Sequence, residues 1–492
     1  MLSRITLSLA VGIFSFVGLS AQSIPDRPEK LSYPQLAFQV PKSKDYKTQL
    51  SNKIPVYVSS DAASAPIVRL SIHWKGGKYL EPDGKEGLAQ IYGSLLSQGG
   101  SKKMKIAKME DRLEDFAATI NSSCGATVGS ISLQCFAKDF NEVFEMMMDS
   151  LFQPAFAQDR LELAKRTNKQ AVERRNDSVA TIANYQLTCL VRGEDFFSAK
   201  DPTTASIDSI TVEDLQAFHA ALLHPSNIVV SVSGQFDKKA VMDRLNSTLG
   251  ALKPASGAKA SPAVPQSNFV RTPGIYVVDK AAPQAMVQWA FPTHLRRDDA
   301  DWHAATVMNH ILGGSFTGRL MKKIRSDEGL TYGIRTGLSG YVYWPSDLHG
   351  SSQTSNNTVA YLLRLAIAEM EALKNVPLAE SELQAIKDGL VESFPSQWTR
   401  LAVADSFAQE AVMGLPEDWW QDYREKIQAV TPAEVQRMAQ KILEMEKAVI
   451  LAVGQADSME AGDHDRPGAL KDVLPLPMQR LPLRDPNTGK PM

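Results

Sequence analysis

Cysteine is nearly absent from this chain: Cys124, Cys135 and Cys189 are the only three in 492 residues. None stands in a CxxC pair, which excludes thiolate zinc sites. An oxidising compartment would permit a Cys124–Cys135 disulfide across a hairpin, but the odd count favours buried free thiols. An excess of one charge is also lacking. Lys and Arg number 53 against 55 Asp and Glu, a net charge of −2 with a pI near 6.5. With no long basic run, there is no electrostatic footprint for nucleic acid. After the N-terminal segment no apolar run is long enough to span a bilayer. The eight histidines include no i,i+4 pair and no HExxH or HxxEH, and His303 and His310 stand seven residues apart. That is about 10 Å along a helix, too far for a local chelate. There is no GxSxG elbow, no SxxK and no cysteine with an evident histidine partner. Residues Gly313–Gly318 (GGSFTG) lack the Lys-Ser/Thr of a phosphate loop, GxGxxG is absent, and the segment reads as a flexible turn between helices.

What is present is an ordinary globular composition, 43 % hydrophobic and 22 % charged, in a chain long enough to bury a large core. Arg4, the apolar run Ile5–Leu19 and the small residues before Gln22 read as a signal peptide over residues 1–21. No cysteine follows it, so a lipoprotein is not expected. The mature chain is expected to be exported, most simply to the periplasm of a Gram-negative bacterium.

The most prominent pattern is a duplication. Ile210–Asp237 and Val430–Asp457 align at a constant offset of 220, pairing Thr211 with Thr431, Gly234 with Gly454, Gln235 with Gln455 and Asp237 with Asp457. Glu213 falls one residue before the position of Glu434. Each copy reads as a Thr-capped helix followed by an apolar strand ending at glycine. Ile67–His73 and Met286–Phe291 are strand-like, and each precedes a helix running into Gly-Gly-Ser, at Gly99-Gly100-Ser101 and Gly313-Gly314-Ser315. The Pro, Ala and Ser content of residues 253–267 marks a linker. Residues 458–492 are proline-rich and read as an extended or disordered tail. The fold class expected is α+β: two homologous modules, 22–252 and 268–457, of mainly antiparallel sheet with packed helices. A linked pair of such modules suggests a clamshell around a central chamber.

The run Gly318–Tyr341 is the most informative. Leu320, Met321 and Ile324 form an apolar helical face, Gly329 stops the helix, and Leu330–Gly337 reads as a strand. Arg325 falls near the helix end and Tyr332 on the strand. With Gly313-Gly314-Ser315, Arg319-Leu320 and Gly329-Leu330-Thr331-Tyr332, this segment resembles the signature of the insulinase/pitrilysin (inverzincin) metallopeptidases, which include the mitochondrial processing peptidases. The resemblance covers nearly all the mature chain.

Active members of that family carry HxxEH on a helix after a Gly-Leu/Val-Ala entry. The matching stretch here is Gly87-Leu88-Ala89-Gln90-Ile91-Tyr92-Gly93-Ser94. Gln90 and Ser94 replace the two histidines that would share one zinc ion, and Gly93 replaces the general base. The third-ligand stretch falls in Lys165–Asn176, where Glu173 is the only carboxylate and reads as a solvated helix acid. The resemblance therefore implies no metal in this chain and no peptide hydrolysis by it alone. Arg325 and Tyr332 match the pair with which the family's second half binds the substrate carbonyl and stabilises the oxyanion. Their retention resembles a non-catalytic subunit acting in trans beside an HxxEH-bearing partner that holds the zinc. Unfolded peptides would be the substrates, added as a strand to the sheet edge at Ala118–Ser123, that is Ala118, Thr119, Ile120, Asn121, Ser122 and Ser123. The alternatives are a stand-alone peptide-binding or chaperone-like pseudopeptidase, and a zinc enzyme with unconventional ligands.

Overall fold

The computed structural model describes residues 27, 31, 37–61, 65–254, 260, 263–267, 272–466 and 468–492. Residues 40–492 form one compact body. The leader expected at 1–21 lies outside the described residues, as does part of the 253–267 linker.

Two six-stranded sheets organise this body. The first uses β1 (Lys47–Gln49), β2 (Pro55–Ser60), β3 (Ile67–Lys75), β4 (Thr119–Cys124), β5 (Val128–Phe136) and β6 (Ile228–Gly234), in the order β1-β2-β6-β3-β5-β4. The second uses β7 (Gly274–Asp279), β8 (Gln284–Pro292), β9 (Ile334–Leu338), β10 (Asp347–Ser355), β11 (Val449–Gly454) and β12 (Met478–Leu481), in the order β12-β7-β11-β8-β10-β9. Five strands coincide in order (β2-β6-β3-β5-β4 with β7-β11-β8-β10-β9), while the sixth differs: β1 opens its module antiparallel to β2 and β12 closes its own parallel to β7. Pairing is antiparallel except at β2–β6, β7–β11 and β12–β7. The valine- and isoleucine-rich β6 and β11 are buried along their full length, as strands covered on both faces must be.

Further details repeat between the halves. Trp74 lies opposite Gly129 across β3 and β5, and Trp289 lies opposite Gly350 across β8 and β10. A Cβ at Gly129 would stand 2.3 Å from the Trp74 ring, and one at Gly350 2.1 Å from that of Trp289. Only glycine lets either indole lie flat across its neighbouring strand. Thr211 and Thr431 both cap helices through capping boxes, with Asp214 and Glu434 as the returning carboxylates. Asp214, rather than Glu213, is therefore the true counterpart of Glu434.

The halves interlock by exchanging helices. Val179–Arg192, from the first half, lays Val179, Ile182, Ala183 and Val191 against Val278, Ala290, Val449, Leu451 and Val453 of the second sheet. Val403–Met413, from the second half, packs on β6, β2 and β3 of the first. Its Phe407 stacks 6.0 Å from Tyr57. Each crossing helix also delivers a polar lock to the strand residue just before the buried tryptophan. Asp405 Oδ1 lies 2.8 Å from His73 Nε2, and the Gln288 amide donates to Asn184 Oδ1 at 2.6 Å. Asp405 also accepts from the Ser231 hydroxyl at 2.6 Å and the Gln409 amide at 2.8 Å. Burial pushes the Asp405 carboxyl upward, but its His73, Ser231 and Gln409 partners outweigh this and hold it well below the usual range.

Several expectations are corrected. The described chain beyond residue 457 is structured, not a free tail: it finishes the helix Ala456–Ala461, and β12 then pairs in parallel with β7, occupying in the second sheet the edge that β1 occupies in the first. Beyond it, Pro482 O accepts from Gln186, Arg484 O accepts from Asn176, and Arg484 pairs with Glu194, all on the first half. The strand expected at Leu330–Gly337 begins only at Ile334, because the Thr331 hydroxyl closes a tight turn on Gly333 N at 3.1 Å. The helix before it, Met321–Asp327, is wound as a π-helix, as is His310–Gly314. Cys124 and Cys135 lie at opposite ends of the β4–β5 hairpin, since Cys124 faces Gly129 while Gln134 faces Thr119, and all three cysteines are free.

Candidate functional site

The degenerate motif lies on the helix Leu88–Gln98, which opens at Gly87 in the left-handed region (φ 103°). The carboxylate of Glu81 caps this helix, accepting from Ala89 N at 2.7 Å and Gly87 N at 3.1 Å. Burial pushes Glu81 up to about 7 despite these bonds and the nearby Lys78. The spacing of six and eight residues lies outside any capping-box pattern, so the sequence carried no signal for it.

Gln90 is exposed, Gly93 buried and Ser94 half-buried. The Ser94 hydroxyl donates to Ile91 O in its own helix at 3.0 Å. The helix lies directly against β4: a Cβ at Gly93 would stand 2.3 Å from Cys124 N and 2.8 Å from the Ser123 carbonyl carbon. The Ser122 hydroxyl donates to Gly93 O and lies 2.9 Å from the Ser97 hydroxyl, tying strand to helix. Glu173 is exposed at the end of the helix Gln158–Glu173. The residues at the motif positions therefore do not fit a zinc ion: they offer an amide, a hydroxyl already engaged by its own helix, and no side chain at all. Among the described residues no cluster of three His, Cys, Asp or Glu side chains is arranged to hold a metal.

The stretch Ala118–Ser123 falls on β4 and the residue before it. β4 is the edge of the first sheet, with β5 on one side and, among the described residues, no strand on the other. Thr119, Asn121 and Ser123 are exposed, while Ile120, Ser122 and Cys124 turn inward, as pleating requires.

The second-half residues lie apart in sequence and on different structural supports. Arg319, within the signature, makes a bidentate pair with Glu382 at 2.7 and 2.8 Å, and Leu320 is fully buried, so both hold the fold. Arg325 stands on the π-helix Met321–Asp327, and among the described residues the one contact of its guanidinium is the Phe316 ring, 4.9 Å from its Cζ. Tyr332 is 94 % exposed in the turn before β9. The histidines noted in the sequence serve the interior. His303 is buried and stacked on Trp419, and burial lowers it to about 4; the His310 Nδ1 lies 2.9 Å from Thr306 O.

The insulinase model (peptidase family M16) matches residues 56–189, and the peptidase M16 inactive-domain model matches residues 209–390, together well over half of the chain. The chain belongs to the insulinase family, M16. Within that family it is similar to the non-peptidase homolog YmxG of Helicobacter pylori, 26 % identical over 346 residues that cover 70 % of this chain and 78 % of that one. An uncharacterized zinc protease of Streptomyces coelicolor is 24 % identical over 260 residues, 49 % of this chain and 53 % of its own. The fold matches the crystal structure of a peptidase M16 inactive domain from Pseudomonas fluorescens, with a TM-score of 0.73, 21 % identity and coverage of 83 % of this chain and 97 % of that one. The inactive-domain match takes in the segment Gly313–Tyr332, and the insulinase match takes in the helix Leu88–Gln98.

Proposed function

We propose that this chain is the non-catalytic subunit of an exported zinc metallopeptidase. It would supply Arg325 and Tyr332 in trans to an HxxEH-bearing M16 partner and help enclose unfolded peptides. The main support comes from Tyr332, whose ring is 94 % exposed and has no recorded intramolecular hydrogen bond among the described residues. A tyrosine kept for packing would be buried by its ring and bonded at its hydroxyl. The zinc belongs to the partner, where a hydroxyl and a guanidinium aimed at the substrate carbonyl would take up charge as the oxyanion forms.

Affinity purification of the chain from its host should bring down a stoichiometric M16 protein with an intact HxxEH. In that pair, Tyr332→Phe should lower kcat by on the order of 10²–10³, the range for removing one oxyanion donor, and Arg325→Ala should lower it similarly. Unchanged kinetics in both variants would remove the trans-acting role. The free edge of β4 favours a second reading, a stand-alone peptide-binding pseudopeptidase. It predicts micromolar binding of an unfolded peptide by the isolated chain, measured by fluorescence anisotropy, and no co-purifying partner.

A further inference from the structure

We propose that Phe316 is a positioning residue for Arg325, its ring fixing the direction in which the guanidinium leaves the surface; the inference rests on the trans-acting reading above. Phe316 is 73 % exposed, and its one recorded aromatic or cationic contact among the described residues is the Arg325 guanidinium, 4.9 Å away. An isolated exposed phenylalanine adds nothing to a core, whereas its face attracts a cation.

The backbone beneath it is built to hold that ring in place. The turn Ser315–Gly318 joins the two π-helical segments His310–Gly314 and Met321–Asp327, a winding that recurs at functional sites. The Ser315 hydroxyl donates to His310 O at 3.0 Å, and Gly318 N donates to Ser315 O at 3.2 Å. A Cβ at Gly314 would stand 2.4 Å from Asn309 Nδ2, and one at Gly318 3.1 Å from His310 O. The sequence suggested a flexible turn; these contacts make it a fixed one that presents Phe316.

Arg325 has no recorded carboxylate partner among the described residues, in contrast to Arg319, which is clamped by Glu382. A carboxylate would neutralise the charge that the oxyanion needs, while an aromatic face orients the guanidinium and leaves its N–H donors free. Phe316 thus limits the rotamers of a long side chain without consuming its hydrogen bonds.

The test has two readouts. In the isolated full chain, the Nε–Hε resonance of Arg325 should be displaced by the Phe316 ring current, lost in Phe316→Leu and retained in Phe316→Trp. In the heteromer isolated through this chain, Phe316→Ala should lower kcat about two- to five-fold, the size of an exposed cation–π contact, with KM little changed and Phe316→Trp restoring the rate. Combined with Arg325→Ala, it should cost nothing further, because both changes remove one function. A resonance unmoved by Phe316→Leu, or losses that simply add, would overturn the inference. A large loss in Arg325→Ala beside none in Phe316→Ala would sink it while leaving the trans-acting reading intact. Silence of both variants would remove the two together.

Discussion

At Gly93 the backbone of Ser123 and Cys124 fills the volume that a side chain would need. Converting Gln90, Gly93 and Ser94 to His, Glu and His therefore supplies the zinc ligands in name but forces the helix off β4. The triple variant should bind no stoichiometric zinc by metal analysis. Gly93→Glu alone should cost about 1–3 kcal/mol in urea unfolding, the usual range for overpacking. The loss of ligands was legible in the sequence, because helical spacing fixes which residues would share a metal. Closure by β4 was not, since it depends on how a helix seats against a strand about thirty residues further on. Glu410 makes a second residue-scale case. It is buried on the exchanged helix Val403–Met413, and burial lifts its carboxyl from 4.5 to about 8 despite the attraction of Arg297. A carboxyl raised on folding makes the native state the stronger proton binder between those values. Stability from this group is complete below about 4.5 and is lost as pH rises through about 8. Glu410→Gln should match the wild type near pH 4 and be the more stable of the two at pH 8, measured by thermal unfolding across that range.

Two elements carried weight that their sequences did not announce. Prolines mark residues 458–492 as an extended or disordered tail, but they do not forbid a short strand between them. β12 (Met478–Leu481) fits between Pro477 and Pro482, and the residues after it tie the second sheet to the first half. Deleting residues 478–492 should lower stability by roughly 3–6 kcal/mol, counting six cross-half hydrogen bonds at about 0.5–1 kcal/mol each. It should also promote association through the bared edge of β7, visible by light scattering. The Thr-capped helices and Gly-terminated strands were legible because cap, apolar run and glycine recur at one spacing. The π-helical winding around Ser315–Gly318 was not, because an apolar face of three residues fits either winding.

For the molecule as a whole, the duplication in sequence became a duplication of strand order, of a tryptophan–glycine pair and of a polar lock. What the repeat could not reveal is that each half keeps one helix on the other half's sheet. An amphipathic pattern states that a face is buried and not against which sheet. The exchange predicts that neither half folds alone. Residues 40–252 and 272–492, expressed separately, should lack dispersed amide spectra, and a native-like spectrum should return when the two are mixed or produced together. The lock between His73 and Asp405 also has a meaning in time. During synthesis, β3 and His73 leave the ribosome more than three hundred residues ahead of Asp405. For that whole interval the face of the first sheet that carries Ser71, His73, Ser231 and Ser233 lacks the helix that will cover it. The first sheet therefore acquires its last layer only when the final third of the message has been read.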